Sequence, residues 1–292
     1  MIIKAVIPAA GFGTRFLPQT KSQPKEMLPI VDTPTIQLVV EEAVQSGIED
    51  ILIITGKGKR ALEEHFDRNF ELEEELEEKN KKELLNDMKR ISDLADIHFI
   101  HQKELNGLGD AISYAERHVG DHPFAVLLGD TLIDSPGKPI TRQLAEVYAR
   151  FEKTVIALET VPPEKVSRYG IVGGDFVDDS VLKIRELVEK PSPAKAPSNL
   201  AIAGRYILTP GIFDHIRKVR KDKGGEIQLT NALALQLKEE AAYGLRFKGT
   251  RYDIGSKIDF LKTNVIYALK RKEFAADFHD FLTHIVKTTR RP

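Results

Sequence analysis

The stretch from residue 4 to residue 29, KAVIPAAGFGTRFLPQTKSQPKEMLP, contains the features from which the fold and the function of the chain are inferred. Its apolar beginning predicts a buried β-strand. Gly11 and Gly13 follow, and because glycine has no Cβ, the backbone can turn sharply there and bring successive N–H groups against phosphate groups. Arg15 and Lys25 add positive charge, as a planar fork and as a compact point charge. The stretch therefore predicts a strand that ends in a phosphate-binding loop.

Two well-known phosphate loops do not match this stretch. A dinucleotide-binding fingerprint requires Gly or Ala where the chain has Phe16, and a P-loop requires Gly-Lys-Ser/Thr where it has Gly13-Thr14-Arg15. A single Gly-x-Gly is also typical of an ordinary tight turn between a strand and a helix. The basic residues and the segment Pro24-Lys25-Glu26 that follow favour the phosphate loop.

Length and composition are those of an ordinary globular protein, with 292 residues, 41% hydrophobic residues and a formal net charge of −1. Because acidic and basic residues nearly balance, no global field favours nucleic acid or an anionic membrane. The absence of cysteine excludes disulfides and thiolate metal sites. We recognise neither a signal peptide nor an apolar run of ~18 residues that would suit a membrane helix, so we expect a cytoplasmic protein.

Strand and helix patterns alternate across residues 2–160, which predicts a mostly parallel sheet covered by helices, a Rossmann-like α/β fold. One helix is predicted to be capped at Thr33-Pro34 and to end at Gly47. The segment Gly56-Lys57-Gly58-Lys59-Arg60 is typical of a polar turn with a solvated helix start, since no Ser or Thr follows the lysine. From residue 154 onward, short strand patterns separated by short loops predict antiparallel additions to the sheet.

A charged helical excursion is predicted between Glu71 and Arg90, where the chain is dense in Glu and Lys. We expect its narrow apolar stripe to pack on the domain, and only secondarily to form a partner surface or a moving lid. The stripe residues, largely at i+3 or i+4 intervals, are Leu72, Leu76, Leu84, Met88 and Ile91.

Two aspartates are candidate metal ligands. Asp130 follows Gly129 at the carboxyl end of an apolar strand, the edge at which open α/β sheets bind ligands. Asp253 follows Tyr252 and precedes a Gly-Ser pair. Carboxylate oxygens are hard donors of the kind that Mg²⁺ prefers. Each aspartate can equally be only a helix cap or a turn former.

The residues of the opening stretch, from Pro8 to Arg15 and from Pro24 to Pro29, resemble the signature of the sugar-nucleotide pyrophosphorylases. The second segment is most similar to the branch that makes UDP-glucose from UTP and glucose 1-phosphate. The resemblance extends from Ala5 to about Tyr267 and joins at least four separate segments in the order of the family. It implies the nucleotide-diphospho-sugar transferase fold.

The resemblance also implies a set of site residues. Those implied to bind the nucleotide are Ala9, Ala10, Gly11, Gly13, Thr14, Glu26, Gln102 and Gly107. Gly170, Glu189 and Lys190 are implied to bind the sugar phosphate, and Asp130 and Asp253 to hold one Mg²⁺ that bridges the phosphates of both substrates. Without the resemblance, Gln102 is most simply loop surface and the Glu-Lys pair a solvated dipeptide.

The implied reaction is transfer of a uridylyl group from UTP to glucose 1-phosphate by in-line displacement. Arg15 is expected to hold the departing pyrophosphate, Lys25 the α-phosphate and Lys190 the attacking phosphate. Two alternatives stay open, namely a glucose-1-phosphate thymidylyltransferase and a non-catalytic nucleotide-sugar sensor on the same fold.

Two units are predicted along the chain. Residues 1–255 form the nucleotidyltransferase domain, with the charged helical insertion at about 66–95, and residues 256–292 form a helical segment. The last helix carries aromatic and apolar residues at helical spacing, which suggests either a contact between copies in a dimer or tetramer or packing on the chain's own core. These residues are Phe274, Phe278, Phe281 and Leu282.

Overall fold

Strands rich in Ile, Val and Leu form the centre of the computed structural model, which describes residues 1–222 and 224–288. The β-strands are β1 Lys4–Pro8, β2 Pro29–Ile30, β3 Thr33–Pro34, β4 Asp50–Thr55, β5 Asp96–His101, β6 Phe124–Leu127, β7 Thr131–Asp134, β8 Val155–Thr160, β9 Gly170–Phe176, β10 Val181–Glu189, β11 Leu200–Leu208, β12 Tyr243–Arg246 and β13 Thr250–Asp253. The α-helices are α1 Thr35–Gln45, α2 Arg60–Phe66, α3 Phe70–Glu78, α4 Lys82–Ser92, α5 Leu108–Ser113, α6 Glu116–Val119, α7 Ile140–Phe151, α8 Ile212–Lys218, α9 Leu229–Gln236, α10 Lys257–Ala268 and α11 Ala275–Thr288.

The main sheet has nine strands in the order β5-β4-β1-β6-β11-β8-β12-β10-β9. Its first four strands are parallel neighbours, the arrangement that crossover helices produce. β11 runs antiparallel to β6 and β8, and β10 runs antiparallel to β12 and β9. The α/β class and the later antiparallel strands are therefore confirmed, with most of the parallel pairing in the first half of the chain.

The sheet is buried on both faces, as β4 illustrates. Ile51 and Ile53 pack with α1 and α7 on one side, while Leu52 and Ile54 pack with α5, α8 and α9 on the other. Successive side chains of a strand point to opposite faces, so each strand residue meets one of two helical layers. This two-sided burial explains why the central strands are almost continuously apolar.

One edge of the sheet collects the polar loops. Because β1, β4, β5 and β6 are parallel, their carboxyl ends lie at the same edge, and the loops 9–13, 56–59, 102–107 and 128–130 leave from it. A separate two-stranded sheet of β7 and β13 pairs residues 131–134 with residues 250–253. Segments that are far apart in sequence therefore meet at this edge.

The helical predictions need correction at several points. Thr33 does not cap α1, since Thr33 and Pro34 form the short strand β3 and the helix begins at Thr35. The charged excursion consists of two helices, α3 and α4, and its stripe packs only in part. Leu76 is buried, whereas Leu72 is 41% exposed and Leu84 is 49% exposed. The intervening turn places Asn80 at φ 54, a conformation that continuous helix excludes.

The two last helices differ in how they pack. In α10, Thr263 is fully buried, and Phe260 and Tyr267 pack against the core on the α1 side of the sheet. α11 buries none of its residues among those described. The predicted unit 256–292 extends past residue 288, so its last four residues lie outside the described ranges. Within those ranges, no helix has the length and apolar character needed to cross a membrane.

Candidate active site

A glycine loop follows β1 at the polar edge of the sheet. The Ala9 N–H donates to the carbonyl of Ile54 at 2.8 Å, so the loop leaves the sheet directly after the strand. Gly13 has φ 64, in the left-handed region that glycine adopts without steric cost. A Cβ at Gly13 would lie 2.9 Å from Lys25 Cβ, closer than side-chain atoms approach one another. The glycine therefore lets Lys25 pack directly against the loop.

Lys25 forms an ion pair with the predicted metal ligand Asp130, in which Nζ lies 2.6 Å from Oδ2. Burial alone would lower the pKa of Lys25, but the charges of Asp130 and Glu26 outweigh it and raise the pKa. Burial alone would raise the pKa of Asp130, but the Lys25 ammonium outweighs it and lowers the pKa. Both groups are therefore charged at neutral pH.

Asp253 is brought to Asp130 by the small sheet, in which it pairs with Thr131. The N–H of Ile254 also donates to the Asp130 carbonyl at 3.0 Å. Asp253 Oδ1 and Asp130 Oδ2 lie 3.0 and 3.5 Å from the position that a Cβ on Gly255 would take. The structure therefore brings the two predicted metal ligands to one point, although they are far apart in sequence.

Arg15 lies at the same point. Its Nη1 donates to the carbonyl of Gly255 at 3.2 Å and lies 3.1 Å from the position of a Cβ on that glycine. Two cations and two carboxylates thus gather where the glycine loop, the β6 loop and the turn after β13 meet. We refer to Arg15, Lys25, Asp130 and Asp253 as the charged cluster.

Glu26 and Lys59 form a buried ion pair beneath the glycine loop, with Lys59 Nζ 2.8 Å from Glu26 Oε2. Lys59 also donates to the Ala9 carbonyl. Burial raises the pKa of Glu26 and lowers that of Lys59, against the attraction between them. The prediction of a solvated helix start at residues 56–60 is therefore wrong for Lys59, which is 7% exposed. Its burial is possible because Glu26 and the Ala9 carbonyl accept hydrogen bonds from its ammonium.

Gln102 and Gly107, the residues predicted to contact the base, lie on the far side of the glycine loop. Gln102 is buried after β5, and its Nε2 donates to Asp110 Oδ2 at 2.6 Å. Gly107 has φ 95, and a Cβ there would lie 2.8 Å from Glu226 Cβ. The Gly109 N–H donates to the carbonyl of Ile227 at 2.8 Å. Residues 226–227, which the sequence analysis assigns no role, therefore form the wall behind this glycine turn.

A cavity of about 200 Å³ adjoins the charged cluster. Asp130 and Asp253 line it together with Gly170 and Glu189, so two of the predicted sugar-phosphate residues share a wall with the predicted metal ligands. A Cβ at Gly170 would lie 3.2 Å from Glu189 Oε2, which places the carboxylate directly over this glycine. Its lining combines charged side chains with apolar ones such as Leu108 and Ile202, a mixture found in sites for small ligands.

Lys190 lies at the rim of this cavity. Its backbone N–H donates to the carbonyl of Tyr169 at 3.0 Å, and its Nζ is 3.4 Å from Glu189 Oε1. The side chain is 53% exposed, so the ammonium can move toward a ligand more freely than the ammonium of Lys25. The structure thus brings Glu189 and Gly170 into the cavity and leaves Lys190 at its entrance.

Sequence reasoning missed two arginines near the site. Arg251 lines the cavity, pairs with Glu159 and stacks over the ring of Tyr169 at 4.7 Å. Arg205 is completely buried beneath the loop that carries Asp130. Arg205 is a charged residue within the otherwise apolar strand β11. This feature of the sequence could have marked it as a buried, functionally placed charge.

A larger cavity of about 620 Å³ lies away from these residues, between α1 and the insertion helices. His65 and Arg90 are among the residues that line it, and the charged cluster does not contribute to it. Volume alone therefore does not identify the site, whereas the gathering of cations, carboxylates and a glycine loop does.

A glycine loop with fixed cations, facing paired carboxylates across the carboxyl edge of an α/β sheet, defines a class of enzyme that handles nucleoside phosphates. The sequence model of the nucleotidyl transferase family matches residues 4–269. The chain belongs to this family, and it is a nucleotidyltransferase.

Relatives with known names match the chain over nearly its whole length. A UTP–glucose-1-phosphate uridylyltransferase of Staphylococcus epidermidis is 49% identical over 97% of this chain and 98% of its own. A solved UDP-glucose pyrophosphorylase complexed with UDP-glucose is 43% identical, with a TM-score of 0.85 over 93% of this chain and 100% of its own. A UTP-bound UGPase from Acinetobacter baumannii is 38% identical, with a TM-score of 0.91 over 97% of this chain and 99% of its own.

Proposed function

We propose that the chain transfers a uridylyl group from UTP to glucose 1-phosphate and so makes UDP-glucose and pyrophosphate. The observation that carries this proposal is the charged cluster, which lies between the glycine loop and the cavity that Glu189 lines. A nucleotide on one side and a sugar phosphate on the other would meet at this cluster. The UTP and UDP-glucose complexes of the structural relatives support the two substrates.

In the proposed reaction, a phosphate oxygen of glucose 1-phosphate attacks the α-phosphorus of UTP in line. The bond from that phosphorus to the oxygen that bridges the β-phosphate breaks, and pyrophosphate leaves with the electron pair. Both reacting groups are anions, so the protein must align them and offset the charge of the transition state.

Three cations are proposed to share this task. Arg15 holds the pyrophosphate end, because its guanidinium lies at the turn after β13 beside the glycine loop. Lys25 binds the α-phosphate, because its ammonium lies under the loop at the centre of the charged cluster. Lys190 reaches in from the cavity rim to the phosphate of the sugar, where its exposure gives it room to move.

Asp130 and Asp253 are proposed to hold one Mg²⁺. Their carboxylates approach one point, and carboxylate oxygens suit this hard cation. Among the described residues, no group of three or more His, Cys, Asp and Glu side chains is placed to hold a metal. Two carboxylates fit a cation that takes its remaining ligands from phosphates and water. When bound, it would neutralise phosphate charge and hold the two substrates in line.

The nucleotide is proposed to lie against residues 9–14, with its base near Gln102 and Gly107. Beside this segment, Glu26 Oε1 is buried without a hydrogen-bond partner among the described residues and lies 4.0 Å from Lys25 Nζ, so it is an unused acceptor next to the proposed phosphate cation. Because Gln102 Nε2 already donates to Asp110, its second N–H and its Oε1 are the atoms proposed to meet the uracil edge. We also propose that the chain prefers uracil to thymine, which the comparison of UTP with dTTP tests.

The chain is also proposed to work in the cytoplasm as a homo-oligomer, with the last helix as the contact. The support is that α11 buries none of its described residues and exposes Phe281 by 55% and Val286 by 78%. We likewise propose residues 1–255 as the catalytic unit. A monomeric mass measured by light scattering would refute the proposed oligomer. The proposed reaction would be unaffected by that result.

The test is a pyrophosphate-release assay with glucose 1-phosphate and Mg²⁺, in which UTP, dTTP, ATP, CTP and GTP are compared at equal concentration. A clear preference for UTP supports the proposal. A preference for dTTP would retain the reaction class and replace the nucleotide. No release with any nucleotide, across a range of sugar phosphates, would favour a nucleotide-sugar sensor, for which binding of UDP-glucose by calorimetry is the decisive measurement.

A further inference from the structure

Arg205 is the largest side chain in the fully buried part of the described structure, with 0% exposure. A charge buried to this degree is costly unless every donor is satisfied. Glu42 on α1 accepts from Nε at 3.1 Å and from Nη2 at 2.7 Å. The Glu42 side chain is itself only 11% exposed, so the two residues form one buried ion pair.

The other hydrogen bonds of Arg205 go to the carbonyl of Gly204, 3.3 Å from Nη1, and to the loop that carries Asp130. Nη1 donates to the carbonyl of Leu128 at 3.3 Å, and Nη2 donates to the carbonyl of Thr131 at 2.8 Å. These two carbonyls stand on either side of Gly129 and Asp130. A single rigid guanidinium therefore holds both ends of the turn from which the Asp130 side chain projects.

The strand that supplies Arg205 is distorted at the corresponding point. The pairing of β11 with β8 shifts register between Ile202 and Tyr206, which marks a β-bulge. Within the bulge Gly204 has φ 79, and its carbonyl accepts from the N–H of Leu128 at 3.1 Å. Bulges commonly redirect a side chain beside an active site, and this one directs Arg205 under the Asp130 loop.

Asp130 is tightly constrained from the other side as well. A Cβ at Gly129 would lie 3.3 Å from the Pro8 carbonyl and 3.4 Å from Glu26 Cγ, so the loop lies directly against the strand before the glycine loop. Loosening the Arg205 bonds would thus release one side of a turn whose other side is packed against the nucleotide-binding segment.

We infer that Arg205 is a positioning residue for Asp130, which it holds through the carbonyls of Leu128 and Thr131, with Glu42 as the counterion that keeps the guanidinium in place. The inference rests on the proposed role of Asp130 as a ligand of Mg²⁺. Groups that orient a metal ligand without touching the metal typically change metal affinity or activity by ~10-fold to ~100-fold when they are lost.

The test variant is the double substitution Arg205→Met with Glu42→Gln, which removes both buried charges together. Neutral replacement of a whole buried pair usually retains the fold, whereas removal of one partner leaves the other charge uncompensated. Arg205→Lys is the second variant, since it keeps the charge beside Glu42 but lacks the fork that reaches both carbonyls. Thr141→Val is the matched control, because Thr141 Oγ1 donates to Glu42 Oε1 at 2.6 Å and makes no bond to the Asp130 loop.

Two measurements are compared across these proteins. Hydrogen exchange by mass spectrometry, on metal-free protein without substrates, should be faster in the double variant and in Arg205→Lys for peptides that cover residues 128–133 and 253–256. Turnover should fall ~10-fold to ~100-fold, and the Mg²⁺ concentration for half-maximal rate should rise ~10-fold, with the Michaelis constant for glucose 1-phosphate little changed. Thr141→Val should resemble the wild type in both measurements.

Wild-type exchange at residues 128–133 in both Arg205 variants would overturn the inference. So would faster exchange there with a rate and an Mg²⁺ requirement within about twofold of the wild type, since the looser loop would then not affect Asp130. If the wild-type chain itself released no pyrophosphate, the proposed function would fail, and the exchange comparison alone would decide whether Arg205 holds this loop.

Discussion

Lys25 Nζ lies 2.6 Å from Asp130 Oδ2, so a cation proposed to bind phosphate is paired with a carboxylate proposed to bind Mg²⁺. The pair keeps both charges in place in a partly buried position, where either charge alone would be costly. In the proposed reaction, a phosphate group can replace the Asp130 carboxylate beside Lys25. A metal cation can likewise replace the Lys25 ammonium beside Asp130. The ion pair thus prepares the charged cluster for its substrates.

Replacement of Lys25 by methionine should lower turnover by ~100-fold or more, because the α-phosphate would lose a cation that acts in the transition state. The measurement is kcat for pyrophosphate release at saturating substrates and Mg²⁺. Lys21→Met is the matched control, since Lys21 is exposed on the same segment and should leave the rate unchanged. Turnover of Lys25→Met near that of the control would remove Lys25 from the mechanism.

The same pair predicts how stability depends on pH. Asp130, with its pKa lowered from 3.8, contributes stability that is present above that value and is lost as pH falls through the folded pKa. Lys25, with its pKa raised from 10.5, contributes stability that is present below that value and is lost as pH rises through the folded pKa.

The wild type should therefore have a higher free energy of unfolding than Lys25→Met. We expect this difference to be nearly constant between about pH 6 and about pH 9. It should shrink as pH falls below 3.8 and through the lowered pKa of Asp130. Urea unfolding at a series of pH values measures this difference. A difference that stays constant to the lowest pH at which the wild type still unfolds cooperatively would mean that the pair does not contribute through its charges.

Local sequence patterns were sufficient to predict the first strand, the glycine loop and the candidate residues Arg15 and Lys25. All of these features lie within one short segment, and their meaning depends on backbone geometry that glycine and apolar runs specify. The approach of Asp253 to Asp130 was predicted only through a family resemblance. It depends on the pairing of β7 with β13, which no local pattern determines.

Lys59 and Arg205 show what the sequence alone does not reveal. Both are charged residues, which are exposed in most proteins. The prediction of a solvated helix start at residues 56–60 rested on the absence of a Ser or Thr after the lysine, a pattern that says nothing of burial. Their burial depends on carboxylates that the fold brings to them, Glu26 in one case and Glu42 in the other. Such pairs become visible only when segments distant in sequence are placed together.

Lys59→Met should lower the free energy of unfolding by about 3–5 kcal/mol, because it leaves the buried Glu26 carboxylate without its hydrogen-bonded counterion and with only the Lys25 ammonium, at 4.0 Å, nearby. Urea unfolding at neutral pH is the measurement, and Lys57→Met is the control, since Lys57 is exposed two residues earlier. The double variant Lys59→Met with Glu26→Gln should recover a large part of the loss. A single variant as stable as the control would show that Glu26 is accommodated without Lys59.

Gly170→Ala should weaken the binding of glucose 1-phosphate and leave the binding of UTP nearly unchanged. The new Cβ would lie 2.9 Å from Ile202 Cδ1 and from Thr230 Oγ1 and 3.2 Å from Glu189 Oε2, so these three side chains, the Glu189 carboxylate among them, would have to shift within the cavity wall. Loss of hydrogen bonds to a charged group corresponds to a ~10-fold to ~100-fold rise in the Michaelis constant for glucose 1-phosphate. The Michaelis constant for UTP should change little, because the glycine loop lies on the other side of the charged cluster.

The control for this substitution is Gly211→Ala, in which the added Cβ would come no closer than 3.9 Å to Gln236 Nε2 and Glu240 Oε1. Gly211 has φ −54, which alanine adopts without strain, so this variant should match the wild type in both Michaelis constants. An equal rise in the Michaelis constants for UTP and glucose 1-phosphate in Gly170→Ala would contradict the assignment of the cavity to the sugar. Unchanged kinetics would remove Glu189 from sugar binding, because a displaced carboxylate would then have no consequence for the substrate.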